Sequence, residues 1–191
     1  MKKSDYIIKL CRRNGRAYAF RISAALIAIL QLISPLLSCT GRERSEPADV
    51  VRALTDAEVR LPSGAFYFSE ATPGSPNYLP RELLCSAYGI PPDFDGLEGA
   101  AIRLSSGGHP CEFAVFICKS SDSALDVALF CRQRLETLKR NSSYASASGS
   151  LSRDEYLKYL YDASVLVSGR YAALIISSDP SLAERIFRKM T

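Results

Sequence analysis

The strongest constraint in this chain is the way charge and its longest apolar run are segregated at one end. Lys2, Lys3, Lys9, Arg12, Arg13, Arg16 and Arg21 stand against Asp5 alone, and "ISAALIAILQLISPLLS", Ile22 to Ser38, follows with no charge in 17 residues. A basic segment ahead of an apolar one is the pattern of a secretory signal. A membrane span usually needs about 20 apolar residues, so this run lies at the short edge. Pro35 also breaks it where an export signal often ends its helix before cleavage. Residues 1–38 are therefore expected to be a signal peptide, and everything that folds has to come from Cys39 onward. The Arg12-Arg13 pair lacks the surroundings of a twin-arginine signal, which points to ordinary secretory export.

The stretch Leu36 to Cys39, "LLSC", resembles the lipobox of bacterial lipoproteins: a branched apolar residue, a small residue before the cut, and cysteine after it. Leu37 departs from the Ala or Ser commoner at its position. The resemblance implies a thioether from Cys39 to diacylglycerol and a new amino terminus beside it. Two acyl chains anchor stably where one binds only marginally. The expected location is the outer face of the cytoplasmic membrane, lipid-anchored through Cys39. An uncleaved signal-anchor is the alternative, and it puts the domain on the same side. The polar segment "TGRERSEP", Thr40 to Pro47, reads as a tether, so residues 39–47 form the lipidated linker and residues 48–191 a single domain.

Charge changes sign once the signal is set aside. The whole chain is formally +4, but residues 1–38 hold seven of its 24 basic and one of its 20 acidic residues. The remaining 153 residues carry 17 basic against 19 acidic, a net −2. No positive field is left to attract phosphates, which argues against nucleic acid as a partner. A chain of this size suits one domain with a real core.

Along that domain, Pro47 can open a first helix with Val50, Val51 and Leu54 on one face. The Pro/Gly/Ser-rich stretch from Arg60 to Pro80 reads as loop, with "AFYF" its one strand candidate. "RELLCSAYG" is a short helix stopped at Gly89. "GAAIRLS" and "CEFAVFIC" form a hairpin across "SGGHP". "SDSALDVALFCRQRLETLKR" is the clearest helix, with Asp122 as its expected cap and Leu125, Ala128, Leu129, Cys131 or Arg132, Leu135 and Leu138 as its apolar stripe. Ser152 and Glu155 are spaced as a capping box for "RDEYLKYLYDA". "SVLVSGRYAALIIS" reads as a tight hairpin turning at Gly169, and Asp179-Pro180 opens a last helix. "SSDSALDV" and "SSDPSLAE" echo each other, so a hairpin-then-helix unit is expected twice, by duplication or by convergence on the same capping chemistry. The expected fold is α+β: a two-layer sandwich of a four-stranded, mainly antiparallel sheet (two hairpins) with helices on one face.

The order of "YLPRELLCSAYGI", the strand ending "FAVFICKS", the long helix, a tyrosine-bearing helix and "SGRYAALIIS" resembles a family of small lipoproteins of Gram-positive bacteria catalogued as a domain of unknown function. The resemblance spans roughly Ala48 to Thr191. It implies a lipoprotein of unassigned activity and transfers no catalytic residues.

The chemistry the residues support is sparse. His109 is the only histidine, and no CxxC, HExxH, GxSxG or phosphate-cradling glycine loop is present, so no metal, cofactor or catalytic set is expected. His109 beside Cys111 has the residue types of a thiol catalyst, but such partners must meet in space and be held by a third group; "GGHPC" reads as a turn. Cys85, Cys111, Cys118 and Cys131, which allow three full pairings that the sequence does not choose between, are left as buried thiols, as one disulfide, or as a metal set. Cys111 and Cys118 on one strand stand too far apart to bond, and on opposite faces. Tyr156 and Tyr159 share a helical face with Leu160 and suit the core; with Tyr144 and Tyr161 they alternatively line a carbohydrate or peptide groove. Arg132, Glu136 and Arg140 form a solvated stripe. The expectation is a membrane-tethered binding or interaction module whose partner is an envelope protein or cell-wall ligand, the alternative being an enzyme with an unrecognised active site. Cys39→Ser should lose acyl labelling and accumulate as unprocessed precursor on a gel of metabolically labelled cells; normal processing of that variant would contradict the lipid site.

Overall fold

The computed structural model describes residues 45–142 and 151–191. The signal, Cys39, most of the tether and Tyr144 lie outside the described residues. Five strands form one antiparallel sheet: β1 (Gly64–Phe68), β2 (Leu97–Ser105), β3 (Glu112–Cys118), β4 (Ser164–Ser168) and β5 (Tyr171–Ile176), in the order β1-β2-β3-β5-β4. The helices are α1 (Pro47–Ala57), α2 (Arg81–Leu83, continued by a π-helical turn Leu84–Tyr88), α3 (Ser121–Arg140), α4 (Arg153–Tyr161) and α5 (Pro180–Met190). No helix among the described residues is long and apolar enough to cross a membrane.

The α+β class and the antiparallel sheet match expectation, and two details do not. "AFYF" is a full strand, pairing Gly64 to Ser105 through Phe68 to Ala101, which makes five strands instead of four. Helices also cover both faces. Ala114, Phe116, Cys118, Ala172, Leu174 and Ile176 pack under α2, α3 and α4, whereas Phe113, Val115, Ile117, Ala173 and Ile175 pack under α1 and α5. Every residue of β3 and β5 is buried. Neither strand alternates apolar with polar, because neither has a solvent face to fill.

Local chemistry sets the element ends. Pro47 occupies the first turn of α1, Gly89 ends the π turn in the left-handed region, and Ser152 and Glu155 form a complete capping box. The cap of α3 is Ser120, whose Oγ accepts from Ser123 N at 3.1 Å, because Asp122 already lies inside the helix. The buried stripe of α3 is Ala124, Val127, Ala128, Cys131 and Leu135. Leu125 and Leu129 are 56% and 51% exposed. The helix is rotated so that Arg134 reaches inward to Glu112, and that rotation carries the two leucines outward.

The internal echo is one of sequence alone: Ser120 caps α3, whereas Asp179, which aligns with Asp122, caps α5. Aligning the two segments matches Cys118 with Ile175, yet these residues face opposite sides of the sheet, and the helices that follow cover opposite faces. A duplicated antiparallel unit related by a two-fold normal to the sheet would set both helices on one face.

The β4–β5 connection is the two-residue turn Gly169-Arg170 between paired Ser168 and Tyr171, with Gly169 at φ +54°. No atom lies within 4 Å of a Cβ built there, so the demand on this position is conformational alone. Gly169→Val should lower stability by about 1–3 kcal/mol through backbone strain, and Gly169→Asn should recover most of it; an unchanged melting temperature for the valine variant would contradict the turn.

Candidate functional site

Titratable side chains gather where α1 ends, β3 begins and β5 ends. Glu58, which caps α1, accepts hydrogen bonds from Ser177 Oγ at 2.7 Å, Ser178 N at 3.1 Å and Ser178 Oγ. These two serines lead into the Asp179 cap of α5, where Asp179 Oδ1 accepts from Leu182 N at 3.0 Å. The polar residues that the chain needs to leave β5 and start a helix are thus also the residues that hold Glu58.

Across the sheet end, buried Arg103 donates to Ser105 Oγ at 2.9 Å and to the Pro62 carbonyl. Ser105 Oγ in turn donates to Cys111 O at 2.6 Å. This ties the β2–β3 turn to the strand pair beneath it. Desolvation lowers the pKa of Arg103, with Glu58 opposing that shift by favouring the cation.

His109 closes the turn. Its Nδ1 accepts the Cys111 backbone N–H at 3.1 Å, and its ring meets the Tyr159 ring edge-on at 5.0 Å between centroids. The imidazole therefore serves the backbone and α4. The thiol of Cys111 is buried, and desolvation helped by Glu58 pushes its pKa up to about 12, the opposite of an activated thiolate. The two residues share a turn without forming a nucleophile and base.

Beside Tyr159 lies an open groove of about 270 Å³ lined by Arg60, Leu151, Glu155, Lys158, Asp162 and Ser177 among others. Tyr156 and Leu160 face inward as core, Tyr159 stands half-buried at the groove, and Tyr161 is 70% exposed. The helical face of α4 thus divides the tyrosines between the core and groove roles. Glu155 is engaged by Ser152 N at 2.9 Å and Ser152 Oγ at 2.7 Å, and these hydrogen bonds hold its carboxyl below the usual range. Arg60 and Lys158 have no ion-pair partner among the described residues. Neither stands out in the sequence, because a basic residue after a helix and one within a helix look like ordinary surface.

A second polar cluster is internal. Tyr88 Oη donates to Glu112 Oε1 at 2.6 Å, and Arg134 Nη2 donates to Glu112 Oε2 at 3.0 Å. Burial first, then the Glu112 charge, raises Tyr88 well above its ordinary pKa. The cluster is closed on itself, each member engaging another. Arg132, Glu136 and Arg140 lie on the solvated side of α3. Cys118 and Cys131 are buried thiols on the α3 side of the sheet, and Cys111 lies on the other side. Among the described residues no three His, Cys, Asp or Glu side chains gather as a metal site would require.

Burial lowers the pKa of His109, with Glu58 opposing and Arg103 reinforcing the shift. A folded pKa below the unfolded value of about 6.5 means that the unfolded chain takes up the proton first, so stability is retained above that value and lost as pH falls through it. The parent should lose more thermal stability between pH 7.5 and pH 5 than His109→Gln does; equal losses would contradict a neutral, turn-holding imidazole.

The chain matches no family model, no curated protein and no solved structure, and the chemistry of the groove rests on its own residues.

Proposed function

We propose that this is a lipid-anchored protein of the cell envelope, exported and held through Cys39, whose domain is a binding module that takes an envelope peptide or carbohydrate in the groove beside Tyr159. The observation that carries the reading is the groove's composition: a half-buried aromatic ring braced by His109, flanked by Arg60 and Lys158, which have no ion-pair partner among the described residues, with Asp162 on the same lining and Glu155 already engaged by Ser152. A flat ring with a hydroxyl and cations left for a partner suits recognition. The basic and apolar amino end and "LLSC" support export and anchoring. The resemblance to small Gram-positive lipoproteins agrees with both and supplies no residue roles.

Placement is compatible with this reading. The chain is bound to the domain from Ser45, whose carbonyl accepts from Tyr171 Oη at 2.9 Å. Six residue steps from Cys39 reach at most about 20 Å, so the domain stays close to the bilayer. The groove lies past the far end of α1, about 16 Å along an 11-residue helix from that entry point. Tethering also raises local concentration, so a modest affinity is enough.

The alternative, an enzyme with an unrecognised site, takes its support from the titratable lining of the same groove. A photo-cross-linking residue placed at Leu151, on the groove lining, in the full chain, in living cells, should capture one envelope component, and Arg60→Ala should reduce that capture at least tenfold while leaving the melting temperature unchanged. Turnover of a cell-wall substrate by the purified protein, abolished by Arg60→Ala, would decide for the enzyme; capture insensitive to Arg60 would contradict the groove.

A further inference from the structure

The two edges of the sheet are finished differently. At β1 the following loop covers the Phe68 end of the edge, with Phe68 N donating to Asn77 O at 2.8 Å and Leu79 N to Phe68 O at 3.1 Å. At β4 no backbone hydrogen bond of Ser164–Ser168 runs outside the ladder with β5 among the described residues. The usual devices that keep an edge from pairing are missing as well: β4 holds no charge and no proline, and its register with β5 is unbroken.

We propose that β4 pairs antiparallel with β4 of a second copy of this chain, about a two-fold axis at Leu166, joining the two five-stranded sheets into one. The strand "SVLVS" reads the same in both directions. Pairing about Leu166 sets Ser164 opposite Ser168, Val165 opposite Val167 and Leu166 opposite itself, so every cross-strand pair joins like with like in size and polarity. Symmetry sets the orientation: a two-fold that paired the strands parallel would run along them and turn one sheet over, whereas the antiparallel two-fold is normal to the sheet. Arg170, which follows the strand, reaches inward to Glu98 Oε2 at 2.8 Å and takes no part.

The tether agrees with this symmetry. A two-fold normal to the sheet keeps each helical layer on its own side, so α1 of both copies lies on one side, and both chains enter their domains there at Ser45. Two copies held in one bilayer need that arrangement. This clause rests on anchoring at Cys39; the bare edge and the palindrome do not. A five-residue pairing buries far less than the roughly 1,600 Å² of a standard interface, so the dimer is weak in free solution and favoured where copies share a surface.

The test uses the full chain, purified from membranes in detergent and returned to phosphatidylglycerol–phosphatidylethanolamine vesicles. Ser164→Cys and Ser168→Cys are prepared separately, then mixed and oxidised with copper phenanthroline; both positions are half-buried, and both replacements are near-isosteric. The mixture should give disulfide-linked dimer at least tenfold above either variant alone and above the parent, whose Cys85, Cys111, Cys118 and Cys131 serve as the background. Equal yield from a single variant, no linkage in the mixture, or linkage in native membranes only to a different protein would each overturn the proposal.

Discussion

The structure turns on one buried carboxylate. Glu112 opens β3, the central strand, with its side chain 4% exposed. A charge in that position is costly unless donors meet it, and breaking such a pair from one side typically leaves about 3–5 kcal/mol uncompensated. The donors come from two other elements: Tyr88 from the π turn and Arg134 from α3. Burial is the largest single influence on Arg134 and lowers its pKa, but the charge and hydrogen bond of Glu112 together with Tyr88 and Tyr156 outweigh it and raise it. The ring of Tyr88 meanwhile stacks edge-on with Phe116 at 5.4 Å. Meeting one carboxylate therefore sets the roll of α3, the seat of the π turn and the packing of that face of the sheet.

The opposite face is organised by α1. Val50, Val51 and Leu54 pack it against Phe113, Val115 and Phe187, and Glu58 at its end holds Ser177 and Ser178. One helix thus joins the point where the chain enters the domain to the rim of the groove. Rigid support of this kind suits a recognition surface, because ordering the rim before binding removes an entropic cost from the binding step. The β2–β3 turn reaches the same rim through His109 and Tyr159. The groove is therefore built from residues far apart in sequence and held by side chains that are already satisfied.

Much of the local structure was legible because it depends on neighbours in the chain. Proline at the first turn of α1 and of α5, the Ser152–Glu155 box, glycine at the end of the π turn and glycine in the β4–β5 turn are all demands of backbone geometry. The division of Cys111 and Cys118 between faces likewise follows from the period of a strand. Even the second covered face left a trace, since "FAVFIC" and "YAALII" are continuously apolar where a half-exposed strand would alternate.

What the amino-acid sequence determined by itself is most of the elements, most of their ends and the two antiparallel hairpins. Tertiary structure alone decided the roll of α3, because Leu125 and Leu129 fit helical periodicity as well as Ala124 and Val127 do, and only the pairing of Arg134 with Glu112 separates the two settings. It also decided that β1 joins the sheet, that α1 and α5 cover the second face, and that Arg60, Lys158 and Tyr159 meet at one groove. Periodicity reports which side of an element is apolar. Which distant side chains share that side is set by packing and by the need to satisfy buried charge, and neither has a local signal.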